Sequence, residues 1–395
     1  MKTLPHELVL LIFKELSDED LRPCASVCRT WTADCQARLF QTVVVDIDLK
    51  CHRLHSVLAT SPHVAPLIRD LYIVTDNVRP QVILDEEASL IAALLLLTHV
   101  ESLTLRLGWN TPWHSLSVHL RDALISVLKL PSFTSLTMQR FYFDFADVDL
   151  HNILRHSTAL KRLTITSAAC PKTWEPSEDV FLQEVREKAR LEELTIDLEF
   201  GTYGIGEWFC RPRCSLDLTG LRSLHIMHTA DQVLVSRLLG VAGQSLERFH
   251  LDVEEFWPSA SPPGVDLSRN IALRSLIFDF SLDSLSADEC PPPWLELTLA
   301  TIHPAARIKE LVLVLSVHTP EDDAGEPSDT AVEDWDYGGW RRLAISLTSP
   351  CLSALEKIKV TVIYHPENPA AYKEMALREL QHLGMKLSFE VIETS

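Results

Sequence analysis

After Pro5 the chain runs from Glu7 to Leu16 without glycine or further proline, and Leu8, Val9, Leu10, Leu11, Ile12 and Phe13 are six apolar residues in succession. Proline is tolerated in a first helical turn, where the N–H it lacks would have no partner, so the stretch predicts a helix. At 100° per residue the six apolar side chains cover its whole circumference, and one packed face cannot hide them. A second helix is expected from Ser17, where Ser-x-x-Asp20 has the spacing of a capping box; it places Leu21, Cys24, Ala25 and Cys28 on one side, with Pro23 in an early turn. Trp31, Leu39 and Phe40 add apolar surface around a third short helical piece. About 40 residues are too few to bury so much alone, which points to a partner protein.

From Ile68 onward the pattern changes to L-x-x-L-x-L. Copies begin Ile68-Leu71-Ile73, Val100-Leu103-Leu105, Phe133-Leu136-Met138, Leu160-Leu163-Ile165 and Leu191-Leu194-Ile196. They continue Leu221-Leu224-Ile226, Leu246-Phe249-Leu251, Leu273-Leu276-Phe278, Ile308-Leu311-Leu313 and Leu355-Ile358-Val360, at intervals of about 32 residues. Each copy predicts a short strand whose alternate residues face one core. Helical patterns lie between them at 85–97, 118–130, 147–155, 178–189 and 231–241. Strand and helix returning at a steady period predict a curved parallel sheet lined outside by helices, an α/β solenoid. Two stretches read as loop insertions: the acidic run 321–336, without Lys or Arg, and the glycine-containing run 201–212. A helix over 369–383 and a strand with Leu387, Phe389 and Val391 alternating are expected to cap the end.

Composition narrows the class. With 36 basic and 55 acidic residues the formal charge is −19, which opposes nucleic-acid phosphate and anionic lipid. Nine cysteines without dense clustering do not form a secreted disulfide framework, and the first twenty residues lack a secretion signal, so a reducing compartment, cytoplasmic or nuclear, is expected. The longest apolar run, around 88–97, is about half of what a membrane helix needs, so no membrane partner is expected.

The N-terminal pattern resembles the F-box, a short helical module that attaches substrate receptors to the Skp-type adaptor of cullin-RING ubiquitin ligases. The residues that carry the resemblance are Leu4, Pro5, Glu7, Leu8, Ile12, Phe13, Leu16, Leu21, Val27, Cys28, Trp31, Leu39 and Phe40. It implies an F-box over 1–45 that docks on the adaptor, and through it on cullin, by Leu4, Pro5, Leu8, Ile12, Phe13, Leu16, Leu21, Val27, Cys28 and Trp31. The repeats, 46–395, resemble the leucine-rich repeats of F-box proteins, of the divergent fungal type. They depart from that pattern in having Gly108, Ala168, Glu199 and Thr229 where a ladder Asn or Cys is usual. The implied chain is a receptor that selects a protein for ubiquitination, with catalysis in other subunits. The alternative is a repeat scaffold outside a ubiquitin ligase.

Enzyme motifs fail on spacing. The glycines of 201–212 are not G-x-G-x-x-G, and G-x-S-x-G, H-E-x-x-H and P-loop sequences are absent. Cys210-x3-Cys214 with His225-x2-His228 has the makings of a zinc site, but strand residues three apart should face opposite ways. Neither metal nor cofactor is therefore expected, and packing is the reading of Cys24 and Cys28. If the repeat leucines face the core, the sheet's other face carries Arg106, Asp197, His225, His250, Asp252 and Asp279, a surface suited to a basic protein target. Trp109, Trp113, Trp174, Trp208, Trp257 and Trp294 follow the strands at varied offsets and are expected along one rim, with Trp109 and Trp257 assigned to the target.

Overall fold

A computed structural model describes residues 5–46, 51–75, 80–107, 113–143, 146–168, 187–198, 203–212, 214–229, 231–253, 264–281, 291–317, 338–364 and 386–393. The chain divides into two compact units, Met1–Ala189 and Arg190–Ser395. The N-terminal helices belong to the first unit.

In the first unit, α1 (His6–Glu15), α2 (Asp18–Cys24) and α3 (Arg29–Leu39) form a three-helix module. Five parallel strands follow in sequence order: β1 (Thr42–Asp46), β2 (Asp70–Val74), β3 (Ser102–Arg106), β4 (Ser135–Gln139) and β5 (Arg162–Thr166). Parallel neighbours need a crossover, and here it is helical. The connections are α4 (Cys51–Thr60), α5 (Pro80–Leu96), α6 (Val118–Leu128) and α7 (Ala146–Leu154), each packed beside the next. The stretch Val43–Val45, read from sequence as the end of the helical module, is instead the sheet's first strand, with Val43 opposite Leu71. A β-branched run of this kind fits a pleated surface better than a helix end.

The second unit repeats the scheme with seven parallel strands, again in sequence order. They are β6 (Glu193–Asp197), β7 (Ser223–Thr229), β8 (Arg248–Val253), β9 (Ser275–Ser281), β10 (Glu310–Val317), β11 (Lys357–Tyr364) and β12 (Lys386–Glu393). Helices α8 (Tyr203–Phe209), α9 (Gln232–Ala242), α10 (Pro293–Ala300) and α11 (Gly338–Leu347) lie between them. The expected glycine loop is therefore helical from Tyr203 to Phe209. Gly206 belongs there because a Cβ would stand 2.5 Å from Leu234 Cδ2 of α9. The acidic run 321–336 and the helix at 369–383 lie outside the described residues, as does most of 178–189.

Register follows the leucines. Leu71, Leu103, Leu136 and Leu163 stand opposite one another in the first unit, and Leu194, Leu224, Phe249, Leu276, Leu311 and Ile358 do so in the second. All ten are buried, forming the core between sheet and helices, while the alternate residues line the opposite face. The entry to each strand is fixed the same way: one carbonyl accepts two successive N–H groups of the next copy. Arg69 O, for example, accepts from Glu101 and Ser102, and Glu101 O from Thr134 and Ser135; Arg222, Glu247 and Arg274 serve likewise in the second unit. This pairing uses backbone only, which explains how sequences so irregular keep one register.

Candidate functional site

The three-helix module has a small closed core. Val9, Phe13, Leu21 and Cys35 are buried, flanked by Leu16, Cys24, Ala25, Trp31 and Leu39. Ser17 caps α2 as the sequence predicts: its hydroxyl oxygen accepts the Asp20 N–H at 3.3 Å, and its O–H donates to Asp20 Oδ2 at 2.7 Å. Pro23 lies at the end of α2 rather than in an early turn, within a helix so short that the bond it forgoes is one of few. Arg38 of α3 donates to the Lys14 carbonyl at 2.7 Å, satisfying a C-terminal group of α1 and tying the first helix to the third.

That core uses one side of α1 and leaves the other bare. Val9 and Phe13 point in; Leu8 (45% exposed), Leu11 (58%) and Ile12 (50%), spaced i, i+3 and i+4, form a stripe facing out. Val27, between α2 and α3, is 63% exposed. Covering side chains of this size is worth about 1 kcal/mol or more each, even from a half-exposed start. Pro5 is also exposed, and Cys28, at the N-cap of α3, is exposed rather than packed as the sequence suggested, because the chain there is extended between helices. Of the residues assigned to docking, Phe13 and Leu21 lie inside, and Leu16 and Trp31 are half-buried against the core. They shape the face from beneath. Leu4 lies outside the described residues, and Leu11, absent from the sequence assignment, is the most exposed member of the stripe.

A second cluster lies on the polar face of the second unit. The +1 row after the buried leucines brings His225 and His250 into register, with rings stacked at 3.8 Å and 4° apart. Burial pushes both imidazoles down, His250 to about 4, so they stack as neutral rings. The +3 row holds Asp197, Asp252 and Asp279, the last two directly opposite each other on β8 and β9. Burial, with Asp252 adding repulsion, pushes the Asp279 carboxyl up to about 7. Asp197 lies 2% exposed beneath His228 instead of presenting itself on the surface. Arg106 belongs to the first unit, and Trp109 and Trp257 lie outside the described residues. Of the other tryptophans expected along the rim, Trp174 also lies outside the described residues, and Trp113, Trp208 and Trp294 are buried. They fill space between helices and sheet rather than lining a rim, the use to which large apolar rings are best suited.

His228 departs from its expected direction. The register of β7 against β8 shifts between Leu251 and Val253, and His228 has φ +49°. This bulge adds a residue, so Met227 and His228 both stay off the core and His228 shares a face with His225. Arg140 and Ser167, four residues after the buried leucines of β4 and β5, have the same left-handed backbone. His225 and His228 are therefore on one face, although strand residues three apart were expected to face opposite ways. Even so, among the described residues no group of three or more His, Cys, Asp or Glu is arranged to hold a metal, and no described helix is long and apolar enough to cross a membrane.

A family model described as F-box-like matches residues 1–44. No curated protein matches the chain.

Proposed function

We propose that this chain is the substrate-recognition subunit of an SCF-type cullin-RING ubiquitin ligase. The observation that carries the reading is the stripe Leu8, Leu11 and Ile12 with Val27, exposed on a helical module whose own core is already filled, within the stretch matched by the F-box-like model. In this reading those residues, with Pro5 and Cys28, dock on the Skp-type adaptor, and Phe13, Leu16, Leu21 and Trp31 hold the face in shape. In this reading the chain needs no catalytic group of its own; it supplies proximity by holding a protein within reach of the transferase.

The two strand-and-helix units serve as the target-holding part, a divergent leucine-rich-repeat solenoid. Parallel strands at a recurring leucine register, entered through one shared carbonyl each, support that view. The target is a protein presenting Lys or Arg to Asp252 and Asp279, beside the His225–His250 pair.

Affinity purification of the tagged chain tests the reading. Adaptor and cullin should both be recovered; adaptor without cullin would favour a scaffold outside the ligase. Asp252→Lys with Asp279→Lys should remove the target while adaptor and cullin remain. Unchanged recovery of the target would move its site elsewhere.

A further inference from the structure

We propose that His228 is a proton-operated clasp that ties β6, β7 and β8 together on the polar face of the second unit. His228 Nδ1 lies 3.2 Å from Asp197 Oδ1 and Nε2 lies 3.6 Å from Asp252 Oδ2. A carboxylate oxygen therefore faces each ring nitrogen. A neutral imidazole has one N–H and one lone pair, so it can satisfy only one of these contacts and repels the other; the imidazolium satisfies both. The second contact, at 3.6 Å, is an ion pair rather than a hydrogen bond and depends on the charge alone.

The backbone supports the same reading. Histidine at φ +49° is strained relative to an extended strand, and such conformations persist where the surroundings hold them. The equivalent residues Arg140 and Ser167 share the conformation, and His228 is bracketed by carboxylates from strands on either side. Its side chain is 41% exposed, so solvent protons reach it, whereas Asp197 beneath it is 3% exposed.

Among the described residues, the titratable groups that act on it or on its partners are Asp197 on β6, His225 on its own strand, Asp252 on β8 and Asp279 on β9, with His250 stacked on His225. Burial pushes the Asp252 carboxyl up, His228 pulls it down, and Asp197 pushes it up again. Removing the proton from His228 thus takes away the positive charge that lies between the carboxylates of Asp197 and Asp252, beside Asp279. The bulge then loosens. This inference does not depend on whether the face binds a target.

The test uses the full chain labelled with 15N-histidine. His228 is assigned by the signal lost in His228→Gln, and hydrogen exchange over residues 226–229 and 250–253 is followed at pH 6 and 8.5, corrected for intrinsic rates. Both ring nitrogens should carry protons at pH 6. Opening of the segment should be about threefold more frequent at pH 8.5 than at pH 6, the scale of a part-exposed ion pair. Measured in an Asp279→Asn background, which removes the titration of that neighbouring carboxyl, the ratio should fall close to one in His228→Gln, and also in Asp252→Asn, which serves if the first variant does not fold. A neutral His228 at pH 6, equal opening at both pH values, or an undiminished ratio in the variants would each overturn the proposal.

Discussion

Phe13 of α1 and Trp31 of α3 meet edge to face, their ring centroids 5.3 Å apart and their planes at 87°. Phe13 is buried in the small core while Leu8, Leu11 and Ile12 of the same helix stay exposed, which separates two roles within one helix. Phe13→Ala removes a buried aromatic and should destabilise the module by about 3–5 kcal/mol. Leu11→Asp, on the bare face, should leave the melting temperature nearly unchanged and still weaken adaptor binding. Thermal melts and adaptor pull-down of both variants check the distinction; equal loss of stability would mean that Leu11 is part of the core.

The cysteines report on the same face. Cys28 is exposed, and Cys35 is buried, with burial pushing its thiol up. A thiol-alkylating reagent at neutral pH should modify Cys28 quickly and Cys35 only on unfolding. Adaptor should protect Cys28. Peptide mass mapping with and without adaptor reads this directly, and labelling of Cys28 at the same rate in the complex would place the docking face elsewhere.

Asp279 makes a prediction about pH. Its folded pKa, about 7, lies above the ordinary carboxyl value, so its contribution to stability is full at acid pH below about 4 and is lost as pH rises through about 7. Asp279→Asn removes the repulsion with Asp252 and should raise stability relative to the parent at pH 8, with the difference shrinking towards pH 4. A gain of one kcal/mol would appear as about 2–4 °C for a unit of this size. His225 and His250 act oppositely: burial lowers them, so their contribution is present above pH 6.5 and is lost on acidification. Melts of parent and variant across this range check the sign, and an Asp279→Asn protein less stable at pH 8 would contradict it.

The repeat leucines were legible because a parallel sheet with one buried face imposes a period of two, and the register from Leu71 to Leu163 and from Leu194 to Ile358 follows it. The Ser17 cap was legible for a similarly local reason. His228 was not. The alternation rule assumes extended backbone at every position, and a single left-handed residue turned its side chain onto the face of His225. The tryptophans misled for another reason: varied spacing suggested a rim, but the gaps between helices and sheet vary just as much, and large rings fill them. Asn270 shows a third limit. It is fully buried and donates to the carbonyls of Leu239 and Gly243 at 3.0 and 2.8 Å, a role set by residues nearly thirty positions away. The docking stripe was half legible, since six consecutive apolar residues announce an uncovered face, but only the packing of Phe13 and Leu21 shows which of them stay outside.

The proposed function rests on docking of the outward face of α1 on a Skp-type adaptor. Calorimetric titration of the purified chain with purified adaptor, comparing the parent with Leu8→Asp/Ile12→Asp, tests it most directly. Both residues are half-exposed, so the double variant should keep the parent's circular dichroism and melting temperature. The parent should show saturable binding, and the variant a loss of at least about a hundredfold in affinity, as expected when charges enter a desolvated apolar contact. A folded double variant that binds the adaptor as tightly as the parent, or a parent that does not bind it at all, would contradict it.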